Sequence, residues 1–247
     1  MKLLLTTCLA LVLSACGGGG GGTSTPTPTP APTPVAATAA GLWEGTASTG
    51  VSVALAILED GQTYGIYTTG NSIAGALYGT TASSGTSLSG SGRDFNIQSR
   101  SVTAGSYNGT FVANNRINVT TSSGAVASAT YAVAYDQPAS LAAFAGTFAG
   151  AGVSGNSAAQ AAAVTVSASG AISVPASGGC SATGTATPRP SGKNIFDLSV
   201  TFNGTNCALG NGTVTTGIGY YNTTTRRLLV MALNPAKTDG FIYVGQK

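Results

Sequence analysis

Gly41-Leu42-Trp43-Glu44-Gly45-Thr46, followed by Val51-Ser52-Val53-Ala54-Leu55-Ala56-Ile57 and the turn Glu59-Asp60-Gly61, carries the pattern on which the fold rests. Val51, Val53, Leu55 and Ile57 fall on every second position, with Ser52, Ala54 and Ala56 between them. Strand side chains alternate between two faces, so this period of two predicts a strand with one face in a core. Tyr64, Ile66 and Thr68 resume the alternation after the turn, and Gly70-Asn71 turns the chain again. The same rhythm predicts strands at residues 73–80, 95–100, 106–112, 117–121 and 127–135. In the second half it predicts them at 164–167, 171–174, 181–187, 194–202, 212–221, 226–233 and 241–244. Phe196, Leu198, Val200 and Phe202 define a half-buried strand, whereas residues 228–233 are apolar on both parities, as a strand covered on both faces requires. No helical period competes, and the expected fold is an all-β antiparallel meander closing into barrel-like units.

Two units are expected, residues 41–136 and 137–247. Pro138-Ala139-Ser140-Leu141-Ala142-Ala143 suits a single helical turn and marks the join. Phe144-Ala145-Gly146-Thr147-Phe148 then echoes Leu42-Trp43-Glu44-Gly45-Thr46, an aromatic followed by a spacer and Gly-Thr.

Charged residues are only 7% of the chain and aromatics 7%, while polarity comes from Thr, Ser and Asn. Hydroxyl-rich strands with glycine turns fit an extracytoplasmic β protein. The formal charge is +3, and the only basic cluster is Arg226-Arg227, so nucleic acid is not an expected partner.

Met1-Lys2, the apolar run Leu3 to Leu13, and Leu13-Ser14-Ala15-Cys16 resemble the leader and lipobox of bacterial lipoproteins. The resemblance implies that residues 1–15 are a cleaved signal peptide and that Cys16 carries the acyl chains, palmitate among them. Two or more chains anchor a protein stably to a membrane. Residues 16–40 then read as a disordered Gly/Thr/Pro linker, flexible over Gly17 to Gly22 and extended where prolines alternate up to Pro34. Gly17 rather than Asp after the lipidated cysteine implies, by analogy with enterobacterial sorting, the outer membrane. Cys8 belongs to the leader. Cys180 and Cys207 remain, an even pair in an oxidising compartment, and are expected to form a disulfide.

Gly41-x-Trp43 before a first strand, with a meander after it, resembles the lipocalin-like barrels and in particular the transferrin-binding-protein-like surface lipoproteins. The candidate barrel signature is Gly41 and Trp43. The arginine that closes a lipocalin barrel over its tryptophan has no counterpart assignable from the sequence, and the cationic loops of the transferrin-binding relatives are not evident.

The chain has no histidine, which excludes a Ser-His-Asp triad, a Cys-His pair and a histidine-ligated metal. Gly150-Ala151-Gly152-Val153-Ser154-Gly155 matches GxGxxG, but no acidic residue lies between Asp136 and Asp197, and the stretch reads as a loop. Carboxylate acid–base chemistry would have to draw on Glu44, Glu59, Asp60, Asp94, Asp136, Asp197 and Asp239. Tyr64, Tyr67, Tyr78, Tyr107, Tyr131, Tyr135, Tyr220 and Tyr221 either line a ligand cleft or cover sheet faces. No catalytic residue, cofactor or metal is expected. The expected function is a non-catalytic, lipid-anchored binding lipoprotein of the envelope or cell surface, taking a protein partner or a small apolar ligand. The alternatives are a structural component associated with the outer membrane and, remotely, a carboxylate hydrolase. Short, glycine-broken strands argue against a transmembrane barrel.

Overall fold

A computed structural model describes residues 38–154 and 157–247. The leader, Cys16 and most of the linker lie outside the described residues. The chain forms two closed, antiparallel, eight-stranded barrels, each winding from neighbour to neighbour, lipocalin-like in kind. Barrel 1 comprises β1 (Gly41–Ala47), β2 (Ser52–Ile57), β3 (Gln62–Thr69), β4 (Ser72–Ser84), β5 (Ser87–Asn96), β6 (Ser101–Val112), β7 (Arg116–Thr121) and β8 (Val126–Tyr131). A 3-10 turn, Val133–Asp136, and one helical turn, α1 (Leu141–Phe144), lead out of it. Barrel 2 comprises β9 (Gly146–Ser154), β10 (Gln160–Val166), β11 (Ala171–Ser177), β12 (Cys180–Pro188), β13 (Phe196–Asn203), β14 (Val214–Asn222), β15 (Arg227–Leu233) and β16 (Gly240–Gln246). The first strand of each barrel pairs with its last, β1 with β8 and β9 with β16, so neither sheet keeps an open edge.

Eight strands enclose a lumen just wide enough to be filled by side chains. In barrel 1 that filling is Trp43, Leu55, Ile57, Tyr107, Phe111 and Ile117; in barrel 2 it is Phe148, Val164, Phe196, Leu198, Val200 and Tyr243. A third core lies between the barrels. Leu42, Ala56, Tyr64 and Ile66, on the outer face of barrel 1, pack against Ile218, Tyr220, Leu229 and Met231, on the outer face of barrel 2. The double-sided apolar run 228–233 is thereby explained: Leu228 and Val230 face the lumen of barrel 2, Leu229, Met231 and Leu233 face barrel 1.

A polar rim ties the same contact. Arg189, after β12, places its guanidinium on Glu59 (2.8 Å) and Asp60 (3.0 Å) of barrel 1 and on Asp197 (2.8 Å) of barrel 2. Lys193 reaches Asp136 at 2.7 Å, and Asn194 donates to the carbonyls of Ala134 and Tyr221. The Lys193 hydrogen bond holds the Asp136 carboxyl below the usual carboxylate range against the opposing effect of burial, with a further hydrogen bond from Tyr131 and the Lys193 charge on the same side as the first. A depressed carboxyl contributes stability at neutral pH and loses it as pH falls through the depressed value.

Several sequence expectations are corrected. The GxGxxG stretch is not a loop, since Gly150 to Ser154 form the second half of β9. The expected strand at 95–100 belongs to β5, which runs from Ser87 to Asn96 and turns where a strand was expected. Glycines hide β5 from a search for bulky residues, yet Gly90 is paired with Tyr107, whose ring occupies the space a Cβ would need. An aromatic across from a strand glycine restores the missing side-chain cover. The strand expected at 127–135 ends at Tyr131. Ala39, which the sequence places in the linker, is buried, and its carbonyl accepts from the Trp43 indole at 3.0 Å.

The interface core predicts one cooperative unfolding transition for the two barrels. Ile66→Asp would place an unpaired carboxylate among Leu229 and Met231 and is expected to cost more than about 3 kcal/mol, by burying a polar group without a partner. Guanidinium titration followed by Trp43 fluorescence and by far-ultraviolet circular dichroism should then show two separated transitions. Coincident curves with an unchanged midpoint would show that this contact is not what couples the barrels.

Candidate functional site

Each barrel is closed at the start of its first strand by the same device. Gly41-Leu42-Trp43 opens β1 and Gly146-Thr147-Phe148 opens β9, and both aromatics are fully buried in their lumens. The internal echo is therefore real in kind but set in another register: Trp43 corresponds to Phe148, four positions from the match suggested by Gly-Thr. Tyr131, at the end of β8, stands edge-on to Trp43 with ring centroids 5.3 Å apart, over the space where a Gly41 side chain would go. In barrel 2 that place is taken by Lys247, whose ammonium lies 5.1 Å from the Phe148 ring and 4.6 Å from that of Tyr221. The same ammonium donates to the carbonyls of Ala143 and Ala145. Where the sequence offered no closing arginine, the cover over the aromatic is a tyrosine in one barrel and a lysine in the other. Gly41 and Trp43 serve architecture, and neither lies in an open recess.

The other end of barrel 2 is open. Phe202 and Phe241, edge to face at 5.6 Å, lie against an apolar recess of about 260 Å³. Ala162, Val174 and Leu209 line its walls, and Ser157, Gln160 and Asn206 contribute polar groups. Cys180, the first residue of β12, is bonded to Cys207, in the loop between β13 and β14, and the disulfide fixes that loop beside the recess. Ser154 and Ser157 join hydroxyls at 2.9 Å, and Asn206 donates to the Gly178 carbonyl at 3.0 Å. Among the described residues no acidic or basic side chain lines the recess, so it can bind by apolar contact and neutral hydrogen bonds. Its volume exceeds the roughly 150 Å³ that admits a benzene ring and falls short of the roughly 300 Å³ at which drug-sized sites begin.

The carboxylates are spread over other work. Glu59, Asp60 and Asp197 share Arg189, Asp136 holds Lys193, and the Tyr67 hydroxyl donates to Asp94 at 2.5 Å inside barrel 1. Burial and then that hydrogen bond push the Tyr67 phenol above its ordinary value. Among the described residues no three His, Cys, Asp or Glu side chains gather to hold a metal. The tyrosines divide between the two expected uses. Tyr67 and Tyr107 lie in barrel 1, Tyr64 and Tyr78 pair edge-on at 5.2 Å, and Tyr220 lines a cleft between the barrels. The recess at the mouth of barrel 2 was not legible in the sequence, because Ala162, Val174, Phe202 and Leu209 converge only when the barrel closes.

The fold defines the class as a tandem of two lipocalin-like barrels. No protein-family model matches the chain, and no curated protein does. A solved structure of a protein of unknown function from the DUF3598 family of Nostoc punctiforme is similar over 85% of this chain and 96% of its own, at 10% identity and a TM-score of 0.28.

Reduction of the disulfide opens a closed loop whose ends are 27 residues apart, which by chain entropy alone is worth about 3–4 kcal/mol. Guanidinium midpoints measured with and without a strong reductant should differ accordingly, and Cys180→Ala/Cys207→Ala should match the reduced protein. Equal midpoints would show that the loop between β13 and β14 is held by packing instead.

Proposed function

We propose that this protein is a lipid-anchored, non-catalytic binding lipoprotein of the bacterial envelope, which takes a small apolar group into the mouth of barrel 2. The observation that carries the reading is the contrast within the lumens: filled by side chains along their length, but open at one apolar, hydroxyl- and amide-rimmed recess of about 260 Å³. A recess without charge suits an uncharged ligand, and its size suits one ring or a short aliphatic chain. The lipobox-like Leu13-Ser14-Ala15-Cys16 and the Gly/Thr/Pro-rich stretch behind it support an anchor and a tether, with the outer membrane as the site of attachment. The surface-lipoprotein resemblance of Gly41-x-Trp43 agrees with that placement.

A second reading, a structural component that contacts another envelope protein, is favoured by the filled lumen of barrel 1 and by Val102, Val112 and Val126 exposed on its strands.

Cys16→Ser is expected to move the protein from the membrane fraction to the soluble fraction and to abolish incorporation of labelled palmitate. Unchanged sedimentation would remove the anchor from the reading. Native mass spectrometry of the protein purified from its own envelope should show an additional mass that denaturation removes and that Ala162→Phe, which fills the recess, abolishes. A bare chain mass would turn the reading to protein contact.

A further inference from the structure

The barrels part at one edge of their contact. Between them opens a second cavity, a cleft of about 220 Å³, walled by β1, β2 and β3 on one side and by β14, β15 and the turn joining them on the other. Ala54, Ile66 and Leu229 form its apolar surface. Glu44, Arg227 and Tyr220 bring the chemistry.

Glu44 and Arg227 carry opposite charges and line the same small space. Among the described residues neither side chain makes an ion pair, whereas Arg189 and Lys193, outside the cleft, are paired with carboxylates of their own. Tyr220 is 3% exposed, and its hydroxyl is a buried side-chain polar atom without a hydrogen-bond partner. Buried hydroxyls are ordinarily satisfied, because an unmade bond loses the hydration of the group and returns nothing. Burial first, and the Glu44 carboxylate second, push its phenol up to about 12, against hydrogen bonding from the Asn222 side chain, whose approach is too loose to make a formed bond. At neutral pH the hydroxyl remains protonated, and its own proton is available to an anion.

A cleft with one carboxylate, one guanidinium and one hydroxyl proton without an acceptor around an aliphatic wall matches a molecule with the complementary arrangement. We propose that the inter-barrel cleft binds a small zwitterion of the α-amino-acid class with an aliphatic side chain. Its ammonium faces Glu44, its carboxylate faces Arg227, the Tyr220 hydroxyl completes the polar end, and the side chain lies on Ala54, Ile66 and Leu229. Arg is suited to the carboxylate by its paired donors, and the charge-assisted bonds are the strong ones. The volume admits a molecule somewhat larger than benzene and excludes most drug-sized ligands. The inference extends the binding reading to a second site and stands on the cleft alone, so the outcomes of the membrane and barrel-mouth experiments do not bear on it.

Isothermal titration calorimetry of the detergent-solubilised full chain with L-leucine tests it. Saturable binding with a dissociation constant below about 1 mM is expected. Glu44→Gln and Arg227→Gln should each weaken it by about tenfold or more, and Tyr220→Phe, which keeps the ring and removes only the hydroxyl, by about fivefold. N-acetyl-L-leucine should bind weakly and be insensitive to Glu44→Gln, and L-leucinamide should be insensitive to Arg227→Gln. Thermal melting of each variant separates loss of binding from loss of fold. Failure of L-leucine to saturate at about 10 mM, or equal affinity in all three variants, would overturn the assignment and leave the cleft to water.

Discussion

The apolar contact between the outer faces of the two barrels is the constraint on which the rest of the structure depends. An eight-stranded barrel of this size has little interior, and its lumen alone supplies a small core. Packing Leu42, Ala56, Tyr64 and Ile66 against Ile218, Tyr220, Leu229 and Met231 gives both sheets a second buried face on the side where they meet. Strands on that side are apolar on both parities, and strands on the far side alternate with Ser, Thr and Asn. β6 shows the opposite extreme from β15: apart from Tyr107 and Phe111, it is half-buried or exposed throughout.

Polar groups then define how the barrels meet. Arg189 is the centre of that arrangement, because one planar guanidinium can serve three carboxylates and is the side chain best fitted to paired acceptors. Surface ion pairs contribute little one by one. A partly buried cation shared between Glu59, Asp60 and Asp197 does something more specific, since it is satisfied only when the turn between β2 and β3 and the start of β13 are side by side. Dispersing the few acidic residues in this way also leaves the recess at the mouth of barrel 2 without charge, and leaves Glu44 alone with Arg227 in the cleft.

Repetition and divergence are visible in one comparison. Both barrels begin with glycine, any residue, and a lumen-filling aromatic, and both cover that aromatic with a residue from the end of the last strand or just beyond it. The cover is Tyr131 in barrel 1 and Lys247 in barrel 2. The two answers exploit the same property of an aromatic ring, whose edge and face carry opposite partial charge, so that either a second ring edge or an ammonium is attracted to it.

Much of the architecture was readable from residues alone. Alternation in Val51 to Ile57 and Phe196 to Phe202 requires strands, the double-sided run 228–233 requires a covered strand, and the expected pairing of Cys180 with Cys207 is the disulfide that the structure contains. Strand pairing in the Gly-rich stretches was not readable, because the cover over Gly90 comes from Tyr107 on a neighbouring strand, and no local window contains both. The same reason applies with more force to the sites. Phe202, Phe241 and Val174, or Glu44, Tyr220 and Arg227, have no spacing in common; barrel closure gathers the first set and barrel-on-barrel packing the second. The sequence by itself determined an all-β chain of two meanders and the chemistry available to it, since period and composition are local properties. Only the tertiary structure decided where that chemistry meets, because register, closure and the inter-barrel contact are set by packing between residues far apart along the chain.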